Sequence, residues 1–217
     1  MVGPWLKALS SSALASKSVN FADIVRSRRM SRSFSDQSVD TSIISSCIDL
    51  ARRAPSAGKS QGWHVLLLEN ESTHRYWDVA LPVERRASFA FPLLLQAPVI
   101  VLSMCDPTAY LERYSEPDKK TTGLGEGLDK WPAPYWTIDA SFATMTFLLA
   151  LEDAKLGALF FAHSNEEGLR QEFSIPDHIQ ILGTIAIGHE TEGQKRQGRS
   201  ADRIRRSVES IIHQKNW

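Results

Sequence analysis

Ala54-Pro55-Ser56-Ala57-Gly58-Lys59-Ser60-Gln61-Gly62-Trp63 separates two different periodicities. Upstream, Ile43, Ile44, Cys47, Ile48, Leu50 and Ala51 recur at helical spacing. Asp40 or Thr41 caps the start of that helix, Arg52 and Arg53 close it, and Pro55 ends it. Downstream, Trp63-His64-Val65-Leu66-Leu67-Leu68 is a run of strand formers and reads as a buried strand. The ten residues between are either a plain helix–strand connector or a ligand-facing loop. Small side chains let the backbone approach a flat ligand, and Gly58 reaches positive φ without strain.

Working outward, Phe21, Ile24 and Val25 open a helix, and Arg28-Arg29-Met30-Ser31-Arg32-Ser33-Phe34 leaves it. Arg28 and Arg32 share a side if that turn stays helical, and two forked guanidinium groups suit a phosphate or a carboxylate. A solvated basic helix end is the alternative. Ser72 to Ala80 and the apolar Phe89, Phe91, Leu93, Leu94 and Leu95 read as helical, and Pro98 to Cys105 as a second buried strand. Residues 106–135 are rich in Pro, Gly and charge and read as a long lid or substrate loop. Gly123, Gly125 and Gly127 mimic part of a dinucleotide fingerprint, but no strand precedes them and no βαβ unit follows. Trp131-Pro132-Ala133-Pro134-Tyr135-Trp136 either lines an apolar pocket or packs the loop on the core.

Ile138 to Leu156 is the longest helix candidate, apolar nearly all round and so buried, with a subunit interface as one place for it. Gly157 is its expected C′ residue. Ala158 to Ala162 is a short strand, and Ser164-Asn165-Glu166-Glu167 has capping-box spacing before a helix reaching Phe173. Ile181 to Ile187 is a last strand; Ile204, Val208, Ile211 and Ile212 form a final amphipathic helix or arm. Helices and strands mix without regular βαβ alternation, which predicts an α+β fold.

The chain of 217 residues suits a single domain over 21–217, with a flexible N-terminal arm over 1–20 and a basic C-terminal arm over 190–217. Trp5 and Leu6 are possible anchors of the N-terminal arm. Twenty-five basic and twenty-five acidic residues cancel, which gives no general reason to expect nucleic-acid or membrane binding. No apolar run approaches the ~20 residues that span a bilayer. The two cysteines, Cys47 and Cys105, have no metal-ligand spacing and read as buried free thiols, which suits a cytoplasmic setting. No metal site is expected. Nucleophilic catalysis has no support either: GxSxG, a Cys/His pairing and a paired carboxylate motif are all missing. Basic residues instead gather in two windows, Arg26 to Arg32 and Lys195 to Arg206, which could meet around one anionic group.

Arg28-Arg29-x-x-Arg32-x-Phe34 and Ala54-Pro55-Ser56-x-Gly58-x-x-Gln61-x-Trp63 resemble the two N-terminal signatures of the nitroreductase family of flavoproteins. Trp131-Pro132-x-Pro134-Tyr135-Trp136-x-x-Asp139, and Arg196-x-Gly198-Arg199 with His213 and Trp217 at the end, are similar to a subgroup of it. The resemblance implies a central mixed or antiparallel sheet wrapped by helices, as an intertwined homodimer with FMN at the interface. Arg28, with Arg196 and Arg199, would reach the FMN phosphate, and Arg29 the phosphate or ribityl. Arg32 would sit near the N1/O2 edge, with Met30 in the same cofactor segment. Pro55, Ser56, Ala57 and Gly58 would run along the ring, and Gln61 would bond the ribityl or ring edge. Phe161, Ala162, His163 and Ser164 would form the stretch that offers an amide near N5. Lys59 replaces an asparagine of many relatives and faces either the ring edge or solvent.

The implied activity is a ping-pong exchange: NADH or NADPH gives a hydride to FMN, and a nitroaromatic, quinone or similar electron-poor acceptor then takes it. No side chain is needed as a covalent nucleophile. Tyr135, Trp136 and Phe161 are candidates for stacking on the substrate. Relatives that dehalogenate or fragment flavin share the N-terminal signatures. A storage or sensing flavoprotein, and a non-flavin anion-binding module, are the readings from other classes.

Overall fold

The computed structural model describes residues 20–191 and 202–217. The N-terminal arm up to residue 19, together with Lys195, Arg196 and Arg199, lies outside the described residues.

Four strands form one antiparallel sheet in the order β1-β2-β4-β3: β1 (Trp63–Glu69), β2 (Val99–Cys105), β3 (Gly157–Phe161) and β4 (Gln180–Gly188). The α+β expectation therefore holds, with every strand pair antiparallel. β2 is buried along its whole length, and successive residues serve opposite faces. Ile100 and Leu102 pack with Phe34, Tyr76, Trp77 and Leu169, under α3 (Glu71–Ala80) and α7 (Glu166–Phe173). Val99 and Val101 pack with Ile44, Cys47, Phe147 and Leu151, under α2 (Thr41–Ala51) and α6 (Tyr135–Asp153). Both cysteines are buried and free.

Several expectations move. β1 is an edge strand, with no strand among the described residues pairing beyond it, and Leu68 is its one fully buried residue. The apolar run from Phe89 becomes a 3-10 turn over Pro92–Gln96, with α4 (Val83–Arg86) before it. Residues 106–135 hold a real helix, α5 (Thr108–Ser115), and three 3-10 turns. The glycines at 123, 125 and 127 sit among those turns rather than after a strand.

α6 starts earlier than expected, at Tyr135 behind Pro134. Its end is made by Ala154 and by Lys155 at φ +62°, so Gly157 opens β3 instead of capping. Asn165, not Ser164, caps α7: its side chain accepts from the Gly168 amide at 3.1 Å, while Ser164 Oγ donates to the Ala80 carbonyl at 2.6 Å. Residues 202–217 contain no helix and leave Ile204, Val208, Ile211, Ile212 and Trp217 exposed, so of the two sequence alternatives the arm stands.

Among the described residues no helix is long and apolar enough to cross a membrane. No group of three or more His, Cys, Asp or Glu among them is placed to hold a metal ion.

Candidate functional site

The arginine segment lies along the free edge of β3. Helix α1 (Phe21–Ser27) stops before it; Arg28 has φ −53° and ψ 126°, so Arg28 and Arg32 do not share a helical face. The Ser31 amide donates to the Ala158 carbonyl at 2.9 Å, and the Phe160 amide approaches Met30 Sδ at 3.5 Å. Further on, Phe34 bridges Glu190 just past β4, and the Ser35 and Thr191 amides bond across the same join.

The three arginines have different surroundings. Arg28 Nη1 is buried with no hydrogen-bond partner among the described residues. Arg29 Nη2 pairs with Glu190 at 3.3 Å, and Ser31 Oγ donates to the other oxygen of that carboxylate. Arg32 Nη1 donates to the Met30 carbonyl at 3.0 Å, and its guanidinium lies 5.6 Å from the Phe91 ring centroid.

At the far end of β3, Phe161 is stacked on Trp77, with centroids 6.2 Å apart and planes 5° apart. The exposed Ala162 follows. His163 Nε2 lies 3.1 Å from Glu166, whose other oxygen accepts from Arg170 at 2.7 Å. Those bonds, His163 first, hold the Glu166 carboxyl below its ordinary value. His163 Nδ1 is buried and unpartnered.

The central loop sits at the other edge, before β1. Ala57–Lys59 makes a single 3-10 turn, and Gly58, Lys59 and Gln61 all have positive φ, at 59°, 60° and 55°. Ser56 Oγ accepts from the Gln61 amide at 3.0 Å, and Ser60 Oγ donates to the Ala57 carbonyl at 2.7 Å. The Lys59 side chain is exposed. Behind the loop, Asp139 Oδ2 accepts from the Ala57 amide at 2.8 Å and from the Tyr110 hydroxyl at 2.9 Å. Arg113 Nε donates to the Gly58 carbonyl at 2.7 Å. A cavity of about 50 Å³ opens beside this point, with Ser56, Gln61, Trp63, Tyr110, Asp139 and Ala143 in its wall.

Tyr135 and Trp136 both pack on Trp131, with centroids 5.7 Å and 6.4 Å from it, and Trp131 also meets Tyr110 and Tyr114. Here the aromatic cluster ties the 106–135 segment to the core. Tyr135 keeps an exposed face.

The two halves of the candidate site are thus separated within one protomer. The Ser31 and Ala158 contact sits in the row of Ile187, Val99 and Glu69, whereas Trp63 sits in the row of Cys105 and Gln180. Ser31 and the loop therefore lie at opposite edges of the sheet and toward opposite ends of its strands. With strands about 4.8 Å apart, the three spacings of the sheet and the further step from β3 to the arginine segment put roughly 19 Å between them.

Sequence reasoning quoted Asp139 only as the last residue of a signature, and it missed Tyr110, Arg113 and Glu190. Tyr110, Arg113 and Tyr114 fall at i, i+3 and i+4, a helical signal hidden inside a Pro- and Gly-rich stretch.

This fold and these signatures define a known class. The nitroreductase family profile matches residues 25–189, and the chain belongs to the nitroreductase family. It is similar to a protein of Methanothermobacter thermautotrophicus provisionally named NADH dehydrogenase/NAD(P)H nitroreductase, at 25% identity over 78% of this chain and 77% of that one. A 4-nitrobenzoate reductase of Nocardioides is 27% identical over 78% of this chain and 80% of its own length. Among solved structures, a nitroreductase family protein of Streptococcus pneumoniae superposes with a TM-score of 0.68 at 19% identity, covering 89% of this chain and 99% of that one, which shows the shared fold. Family membership makes the chain an oxidoreductase of a class that uses a flavin and a nicotinamide donor.

Proposed function

We propose that the chain is a homodimeric, FMN-dependent oxidoreductase that takes reducing equivalents from NADH or NADPH and passes them to nitroaromatics, quinones or similar electron-poor acceptors. The observation that carries this reading is Arg28 Nη1, a buried cationic nitrogen without a partner among the described residues. Burying such a group unpaired is costly, and an anionic phosphate completes it with charge-assisted bonds.

When bound, FMN supplies the two-electron chemistry between nicotinamide and acceptor. The chain binds, orients and shields it. Arg28 neutralises the phosphate, with Arg196 and Arg199 expected to join it. Arg32, stacked on Phe91 and tied to its own backbone, is a fixed cation beside the flavin edge. Ser56, Ala57, Gly58 and Gln61 form the surface for the ring, preset in an unusual backbone conformation. Ala162 and the residues beside it offer backbone donors at the end of β3. Tyr135 and Trp136 face the substrate, and Lys59 is exposed for either the ring edge or solvent.

Two observations support the dimer. One protomer puts the arginine segment and the loop at opposite edges of its sheet, which supports a flavin shared between two subunits. An apolar stripe on α6, Ile138, Phe142, Met145 and Leu149 at i, i+4, i+7 and i+11, also lacks cover: Phe142 is 48% and Met145 42% exposed. The exposed apolar side chains of residues 204–217 are a second surface suited to a partner subunit.

The deciding experiment is an absorbance spectrum of the purified protein, followed by anaerobic addition of NADPH or NADH. Flavin bands that bleach on addition support the proposal, and screening of acceptors follows. Bands that persist with both donors point to storage or sensing. No bands after FMN is supplied would return the arginines to another anion.

A further inference from the structure

Asp139 is buried, 6% exposed, in the second turn of α6. A single oxygen of that carboxylate accepts two bonds from parts of the chain far apart in sequence. One donor is the Ala57 amide in the central loop; the other is the Tyr110 hydroxyl in α5. Burial, then the neighbouring Asp139, pushes the Tyr110 hydroxyl far up, so it keeps its proton and acts as the donor.

The two segments meet again one residue on. Arg113 donates to the Gly58 carbonyl and holds Asp118 at 2.8 Å on its other nitrogens, so the guanidinium bridges the loop and the turn after α5. A Cβ on Gly58 would lie 2.8 Å from Tyr114 Cε2. Three residues of α5, Tyr110, Arg113 and Tyr114, therefore bear on two consecutive residues of the loop. That loop needs outside support, because Lys59 and Gln61 hold a left-handed conformation that costs about 1–3 kcal/mol per residue when nothing enforces it.

We infer that Asp139 is a positioning residue that couples the loop proposed to lie on the flavin ring to the segment proposed to cover the substrate, so that cofactor surface and substrate cover shift as one body. The inference rests on the flavin reading for its consequence, while the coupling itself stands on the geometry. Ring binding and substrate binding are then linked through one oxygen atom. The cavity beside Asp139 gives that joint room to yield.

The test uses the full chain and three variants: Asp139→Ala, Asp139→Asn and Tyr110→Phe. Amide hydrogen exchange reads the coupling without any ligand. In Asp139→Ala, residues 54–63 and 108–131 lose protection together, by about tenfold, the effect of one buried bond of about 1.4 kcal/mol. In the holoenzyme the same variant weakens FMN binding by about tenfold, and it raises the acceptor KM more than it lowers kcat. Asp139→Asn keeps an acceptor oxygen and recovers most of both. Tyr110→Phe raises KM with a smaller loss of FMN affinity, and its exchange increases in both segments.

A variant with a lower melting temperature but unchanged exchange, FMN affinity and KM would overturn the inference and leave Asp139 a plain core residue. If Asp139→Ala fails to fold, Tyr110→Phe decides: faster exchange confined to 108–131 refutes the coupling. If the wild-type protein takes no flavin, the proposed function fails, and the exchange measurements still judge the coupling.

Discussion

Arg29 is paired with Glu190, whereas its neighbour Arg28 keeps one buried guanidinium nitrogen without a partner among the described residues. Two adjacent arginines of one signature thus have different electrostatic positions. The Arg29–Glu190 pair joins the arginine segment to the chain leaving β4, and Ser31 reinforces it on the same carboxylate. Arg28 is the arginine to which the proposed function gives the flavin phosphate.

Substituting each arginine should separate these roles. Arg28→Ala is expected to weaken FMN binding by about ten- to a hundredfold, the worth of a charge-assisted bond of ~1.5–3 kcal/mol. Arg29→Ala should cost under about 1 kcal/mol of stability, because its side chain is mostly exposed and such pairs are weak. Flavin titration and thermal unfolding of the two variants check this. Full flavin occupancy in Arg28→Ala would remove Arg28 from the site.

Gly58 carries two constraints that can be measured apart. Its φ is +59°, and a Cβ there would press on the Tyr114 ring at 2.8 Å. Gly123 has φ +73° with nothing within 4 Å of a Cβ. Gly123→Ala should therefore cost about 1 kcal/mol for the dihedral alone. Gly58→Ala should cost clearly more, because Tyr114 is itself wedged against Trp131 with centroids 4.6 Å apart. Chemical denaturation of both variants gives the difference; equal losses would mean that Tyr114 moves aside freely.

What the sequence disclosed follows from where the information is local. The helix before Pro55, the strand after Gly62 and the buried run to Cys105 are written in residue type and spacing, and each was legible. The Asp139 joint was not, because its two bonds span separations of 82 and 29 residues. The 106–135 segment misled for a related reason: its Pro and Gly content describes the turns, while α5 is stabilised by tertiary contacts to the loop. Capping by Asn165 rather than Ser164 depended on the Ala80 carbonyl, which claims the serine hydroxyl.

The buried pair of Tyr76 and Thr184 offers a test of the opposite face. Their oxygens lie 2.9 Å apart in the core with both residues fully buried. Burial raises the Tyr76 hydroxyl to about 12, so it stays protonated through neutral pH. Tyr76→Phe or Thr184→Val alone should cost about 1–3 kcal/mol by stranding the other group. The double variant should lose less than the sum, by roughly 0.5–3 kcal/mol. Additive losses would show that the pair contributes nothing jointly.

Glu166 should contribute an acid-sensitive element of stability. Its bonds to His163 and Arg170 hold the carboxyl below its ordinary value of 4.5. A depressed carboxylate stabilises the fold above its unfolded pKa and loses that contribution as pH falls through the folded value. The window is therefore at and below 4.5. Glu166 is about half exposed, so solvent screening keeps the contribution under about 1 kcal/mol. Thermal unfolding from neutral pH down to about pH 3 should show Glu166→Gln less stable at neutrality and level with the wild type at the acid end. A gap that stays constant with pH would assign the effect to packing.

The α6 stripe makes the assembly testable by a change confined to the surface. Phe142 and Met145 lie three residues apart, so they share one side of the helix, and the opposite side, with Ala143, Phe147 and Leu151, is core. Phe142→Asp combined with Met145→Asp places two like charges on that exposed side and leaves the protomer core intact. In a dimer built on this stripe, those charges would be desolvated and face their copies, a penalty of several kcal/mol. Sedimentation should then show monomer where the wild type is dimeric. Because one protomer holds the arginine segment and the loop at opposite edges of its sheet, the monomer should also lose FMN while keeping its circular dichroism. A monomeric variant that still binds FMN at wild-type affinity would place the whole flavin site within a single subunit.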